Sequence, residues 1–148
     1  SAEADDSPAH VRVFVGRVVG ESVADRIRDA GALAINEVRK CSWHIADALR
    51  FLHDMDVPHG SLRGANVFLQ DGGAVLTAPS GRLRRVVDQL RWLYNWDFIS
   101  STDFLWAPPE FCLQFFSDDL AEDIWSFACT VMEMATGRPP WRHLLSGD

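Results

Sequence analysis

The chain predicts a mainly α-helical domain carrying one short β-hairpin, and three stretches support that prediction. Between residues 36 and 55, Val38, Cys41, Ile45, Ala48, Leu49 and Leu52 recur at steps of three and four, which makes one apolar stripe on an amphipathic helix. Between residues 120 and 136, Ile124, Trp125, Phe127, Ala128, Val131 and Met132 leave little polar face, the pattern of a helix buried mid-domain. Residues 67–69 and 74–77 flank Asp71-Gly72-Gly73, a turn signal that joins two short strands.

The other elements follow in order. Residues 1–10 are polar and acidic and read as a disordered leader, and residues 11–148 read as a single domain. Val11 to Val15, with Val18 and Val19, form a β-branched strand that ends in connectors at Gly16 and Gly20. Ser22 is positioned to cap a helix, with Asp25 three residues on; Val23, Ile27 and Ala30 keep helical spacing and Gly31 stops it. Pro58 closes the long helix. Residues 83–94 carry helical spacing in part, and a short helix follows Pro108-Pro109-Glu110 to about Phe116. Ser117-Asp118-Asp119 starts the last helix; Gly137 ends it and Pro139-Pro140 prevents a restart.

Composition excludes several function classes. Of 148 residues, 47% are apolar and 24% charged, and the net charge of −7 offers nothing to nucleic acid or an anionic membrane surface. No apolar run approaches the roughly 20 residues of a membrane span, and the first residues lack a secretory pattern. Cys41, Cys112 and Cys129 are odd in number and far apart, which argues against a zinc site or a disulfide framework. A reducing, intracellular (cytoplasmic) location is the expectation.

Chemistry concentrates in His59-Gly60-Ser61-Leu62-Arg63-Gly64-Ala65-Asn66, between the long helix and the hairpin. Its spacing resembles the catalytic loop of eukaryotic-type protein kinases, H-R-D-L-x-x-x-x-N. The run from Asp123 to Trp141 strengthens the likeness, because D-x-W-S-x-G-C-x-x-x-E-M-x-x-G-x-P-P-W is typical of the mitogen-activated kinase kinase kinases. Phe51-Leu52-His53 resembles that family's Y-L-H, and Gly20-Glu21-Ser22-Val23 the segment after the hinge. The resemblance covers about residues 11–142. It implies a C-terminal kinase lobe from the hinge to just beyond the family's helix αF.

It also implies a structural frame without its chemistry. His59 matches a packing residue of the family's hydrophobic spine, and Asp123 matches the αF carboxylate that holds the catalytic-loop backbone. Gly60 replaces the Arg that pairs with a phosphorylated activation loop, and Ser61 replaces the catalytic Asp. A serine hydroxyl has no useful basicity near neutral pH, where a positioned base is worth roughly 10²–10⁴ in rate. Arg63 keeps one positive charge at a phosphate-facing position, and Asn66 matches a metal ligand. Ala78-Pro79-Ser80, or Pro79-Ser80-Gly81 one step on, stands where the metal-binding D-F-G belongs, and neither register has a carboxylate. One neutral ligand does not hold a hard cation. Asp71 and Asp88 are nearby acids, better read as a turn residue and a solvated helix face.

The Gly-rich loop, the ATP-contacting Lys and the partner Glu of the family's N-terminal lobe have no counterpart, and no G-x-G-x-x-G occurs in the 148 residues. Arg63 and Phe68 are the remaining nucleotide-facing candidates; Phe68 is larger than the family's usual residue beneath adenine. Glu110 matches the Glu of A-P-E, whose Arg partner lies in a later helix, and Trp106 resembles the Trp of W-M-A-P-E. Arg84 and Arg85 with Trp92 and Trp96 form a basic, aromatic candidate surface for a protein partner, either an active kinase or a larger assembly. The same aromatics also fit a local core. The expectation is therefore an inactive kinase-like domain acting by protein contacts, with no cofactor. The alternative is a divergent serine/threonine kinase using ATP and Mg²⁺, its N-terminal lobe supplied elsewhere.

Overall fold

The computed structural model describes residues 20–70, 73–77, 105–112 and 119–142. Expectations for the leader, the strand at 11–19, the turn at Asp71-Gly72 and the stretch 78–104 lie outside the described residues. So do those for Arg84, Arg85, Trp92, Trp96, and Ala78, Pro79 and Ser80.

The chain enters through β1 (Glu21–Ser22) and turns directly into α1 (Val23–Ala30). Ser22 makes that turn possible: its backbone is extended and its Oγ accepts the Asp25 N–H at 3.1 Å, satisfying a helix-start donor. The same hydroxyl donates to Asp25 Oδ2 at 2.6 Å. Gly31 ends the helix with φ of 80°, the left-handed region where a side chain is strained. Both ends fall where the sequence places them.

The long helix α2 runs Ile35–His53, within two residues of the expected limits. Glu37 accepts the Ala34 N–H at 3.0 Å, though Ala34 has no oxygen to return the bond. Val38, Cys41, Ile45 and Leu49 of the predicted stripe are buried, with Ala48 and Leu52 half-buried beside them. A 3₁₀ turn (Gly64–Asn66) leads into β2 (Val67–Gln70) and β3 (Gly73–Leu76), the expected hairpin. Its register pairs Val67 with Leu76 and Phe68 with Val75.

One strand was not expected. β1 pairs antiparallel with β2, Glu21 opposite Leu69 and Ser22 opposite Phe68, so the hairpin is part of a three-stranded sheet. Two residues are too few to register as a periodic strand; the pairing is decided by β2 across the fold. Gly20 precedes it at φ of 143°, with space for a Cβ blocked 2.6 Å away by the Leu69 carbonyl oxygen.

A short helix α3 (Pro109–Cys112) precedes α4 (Asp119–Thr136). The core gathers Val23, Leu33, the α2 stripe, Leu62, Val67 and Met134, with Phe127 and Val131 packed against it. The expectation that α4 is buried nearly all round is corrected by its outer side: Ile124 is 55% exposed, Trp125 37% and Met132 46%. Burial follows neighbours, and α2, the 3₁₀ turn and Trp106 meet α4 on one side. Leu33 N–H donates to the Met134 carbonyl at 2.9 Å and ties the α1–α2 connection to the end of α4. Among the described residues, no helix is long and apolar enough to cross a membrane.

Candidate functional site

The loop from Pro58 to Arg63 has no regular hydrogen bonding, so its shape needs outside support. Asp123 on α4 supplies it. The residue is 1% exposed, and its carboxylate takes three donors. Oδ2 accepts the His59 N–H at 2.7 Å and lies 2.8 Å from His53 Nε2, while Oδ1 accepts the Gly60 N–H at 2.7 Å. A buried carboxylate is costly unless its lone pairs are filled, and here two successive backbone amides and an imidazole fill them. The loop and the last turn of α2 are thereby pinned to one point.

His59 is fully buried. Its Nε2 lies 3.3 Å from the Thr77 carbonyl and its Nδ1 lies 3.4 Å from the Ser61 amide N–H. A carbonyl needs a donor and an amide an acceptor, so the ring is the neutral tautomer with its proton on Nε2. Burial pushes its pKa below the ordinary value, against the opposing pull of Asp123 and the Thr77 carbonyl. Thr77 is the residue directly before the triplet at 78–80. Its own N–H donates to the Asn66 carbonyl at 3.1 Å, so both ends of the loop are joined to the end of the hairpin.

Gly60 sits at φ of 71°, a left-handed conformation glycine adopts at no steric cost. Ser61, Arg63, Asn66 and Phe68 are all half-buried around the loop and the start of β2. Asn66 Nδ2 donates to the Ser61 carbonyl at 2.6 Å, bracing the loop across five residues. The structure thus brings together His59, Gly60, Ser61, Arg63, Asn66 and Asp123. Glu110 is exposed on α3, away from this cluster of bonds.

A second buried carboxylate was not singled out from the sequence. Glu133, 4% exposed, accepts the Gly64 N–H at 2.9 Å and the Trp106 indole N–H at 3.0 Å on one oxygen, Oε2. Burial raises its pKa above the ordinary value, opposed by the Gly64 and Trp106 bonds and the charge of Arg63. The Arg63 guanidinium lies 6.0 Å from the centre of the Trp106 ring, and Ser126 Oγ donates to the Trp106 carbonyl at 2.8 Å. The signal available was an acidic residue inside an otherwise apolar helix, which demands a buried partner.

Chemically, the loop has a defined backbone and a buried, neutral imidazole whose two ring nitrogens are both engaged. The residues 59–66 contain no carboxylate, and neither does the triplet at 78–80. Asn66 Oδ1 and the Ser61 hydroxyl are neutral oxygen donors, and the Asn66 amide nitrogen is turned to the Ser61 carbonyl. That donor set does not fit Mg²⁺, which binds through one or two carboxylates together with phosphates. A cavity of about 370 Å³ lies elsewhere, between α2 and the hairpin, lined by Leu33, Lys40, Cys41, Leu69 and Gln70. It draws on none of the loop residues. Cys41 and Cys129 are buried free thiols whose pKa values burial pushes up, the state of packing residues rather than nucleophiles.

Residues 3–146 match the family described as protein kinase domain. The chain is 32% identical over 129 residues to mitogen-activated protein kinase kinase kinase YODA of Arabidopsis thaliana, spanning 87% of this chain and 14% of that protein. It is 28% identical over 137 residues to mitogen-activated protein kinase kinase kinase 3 of Homo sapiens, spanning 93% of this chain and 22% of that protein. Its fold matches a crystal structure of Rad53 in complex with AMP-PNP with a TM-score of 0.63 at 23% identity, covering 84% of this chain and 29% of that one. The chain therefore corresponds to a minor part of each of these proteins, and the fold is a partial kinase fold. With a family match over nearly its whole length and a loop held as that fold requires, this chain belongs to the protein kinase domain family.

Proposed function

We propose that this chain is a catalytically inactive member of the family that works through protein–protein contacts, as a scaffold or as an allosteric partner of an active kinase. One observation carries the reading. The loop backbone is held at His59 and Gly60 by a fully engaged Asp123, yet Ser61 occupies the position of the base. Drift that unfolds a site destroys the frame and the chemistry together. Here the frame persists without the carboxylates that phosphoryl transfer and its metal ions use. A frame kept for its shape serves recognition, and the relatives' kinase family is one whose members act on other proteins.

The test is phosphotransfer by the intact protein, assayed with Mg²⁺, labelled ATP and a general protein substrate. The expected result is incorporation no higher than in an Asn66→Ala variant. Incorporation that Asn66→Ala abolishes would overturn the proposal and favour a divergent serine/threonine kinase, with Arg63 and Asn66 still serving phosphate and metal.

A further inference from the structure

We infer that the outer face of α2 is a self-association surface, on which a second copy of this chain docks antiparallel with the two Trp43 rings meeting on the two-fold axis. Trp43 lies mid-helix, opposite the buried stripe, and is 65% exposed. Its ring contact within the chain is the edge of the adjacent His44, at 5.4 Å between centroids. Phe51 is 62% exposed eight residues on. Aromatics of this size serve as interface anchors once a partner covers them.

The occupant is argued from charge. Toward the N-terminal end of this face stand Arg39 and Lys40, both exposed and, among the described residues, neither in an ion pair. Toward the C-terminal end stand Asp47 and Asp54, bridged by Arg50 at 2.9 and 3.3 Å. Arg50 offsets one of the two acids, so that half stays negative while the other half is positive. A face with one sign at each end complements itself when a copy is turned end for end. Arg39 and Asp47 lie four residues to either side of Trp43. With the two tryptophans opposed, each Arg39 therefore comes level with the second copy's Asp47, twice by symmetry.

The helix is about 28 Å long and about 10 Å across, so one face offers a footprint on the order of 300 Å². That is well below the roughly 800 Å² per partner of a standard stable interface, so the association is weak and depends on concentration. It is independent of whether the loop is active, since none of its residues belongs to the loop.

Sedimentation velocity on the chain, from about 1 μM to about 1 mM, reads the equilibrium directly. The unaltered chain should pass from monomer to dimer within that range. Arg39→Asp and Asp47→Arg each place like charges opposite one another, and each alone should weaken the dimer at least roughly tenfold. An equimolar mixture of the two variants restores both pairs and should form a heterodimer that neither forms alone. Trp43→Ser, which touches no charge, should also weaken association, and circular dichroism confirms that each variant is folded. A chain monomeric at every concentration overturns the inference and leaves the face to a different partner. Single variants that associate like the parent, or a mixture that stays monomeric, overturn it equally.

Discussion

At the scale of single residues, two buried carboxylates do most of the positioning, and they differ in how fully they are used. Asp123 accepts from two backbone amides and an imidazole, so each oxygen is occupied. Asp123→Asn keeps the volume but turns one acceptor into a donor, facing donors. The loss should be about 3 kcal/mol in urea unfolding, and a loss under about 0.5 kcal/mol would mean the loop holds itself. Glu133 has both its bonds on one oxygen, and burial raises its pKa above the ordinary 4.5. The folded state therefore takes up a proton more readily than the unfolded state, and this group makes the protein more stable as pH falls toward 4.5. His59 acts the other way: burial lowers its pKa from the ordinary 6.5, so stability is lost as pH falls below 6.5 and the unfolded chain charges first. Glu133→Gln removes one of these contributions. Compared with the parent, it should lose stability more steeply on acidification from pH 7 to 5, measured by chemical unfolding at each pH. A parallel pair of curves would contradict the assignment.

The two carboxylates also mark what the sequence could disclose. Asp123 and His59 were readable because each stands in a motif whose spacing implies its role. Glu133 stands in the same run as Asp123, but the run does not announce its partners, Gly64 and Trp106, 69 and 27 residues away.

At the scale of elements, local chemistry set the boundaries and tertiary pairing set the exceptions. Ser22, Gly31 and Gly137 act through their own backbone and side chain, so the limits of α1 and the end of α4 were legible. β1 was not, because a two-residue strand exists only against β2. The exposed side of α4 was not either, because hydrophobicity says that a face can be buried and not what lies over it. Ser22→Ala removes the cap of α1 and should cost about 1 kcal/mol in thermal or chemical unfolding. Gly137→Ala should cost more, roughly 1–3 kcal/mol. Its φ is 67° and a Cβ would lie 2.6 Å from the Ala32 backbone nitrogen, which cannot swing aside as a side chain would. A Gly137→Ala variant as stable as the parent would show that the α1–α2 connection gives way freely there.

At the scale of the whole molecule, among the described residues, α2 packs against both α4 and the hairpin, and the loop is tied to α4 through Asp123. This arrangement was legible in outline from two apolar periodicities and one turn signal. What the periodicities could not supply was the meaning of the loop, which depends on individual residue types at fixed positions. The same carboxylate that gives a kinase loop its shape is present and buried, while the positions that would carry metal and proton chemistry hold Ser61 and a triplet without acid. The proposed function separates shape from chemistry. The most direct measurement of that separation is titration calorimetry of ATP into the intact protein, in Mg²⁺ and again in EDTA. The account predicts that Mg²⁺ does not tighten binding, whether or not nucleotide binds at all. ATP binding that Mg²⁺ strengthens roughly tenfold or more, and that Asn66→Ala returns to the EDTA value, would contradict it.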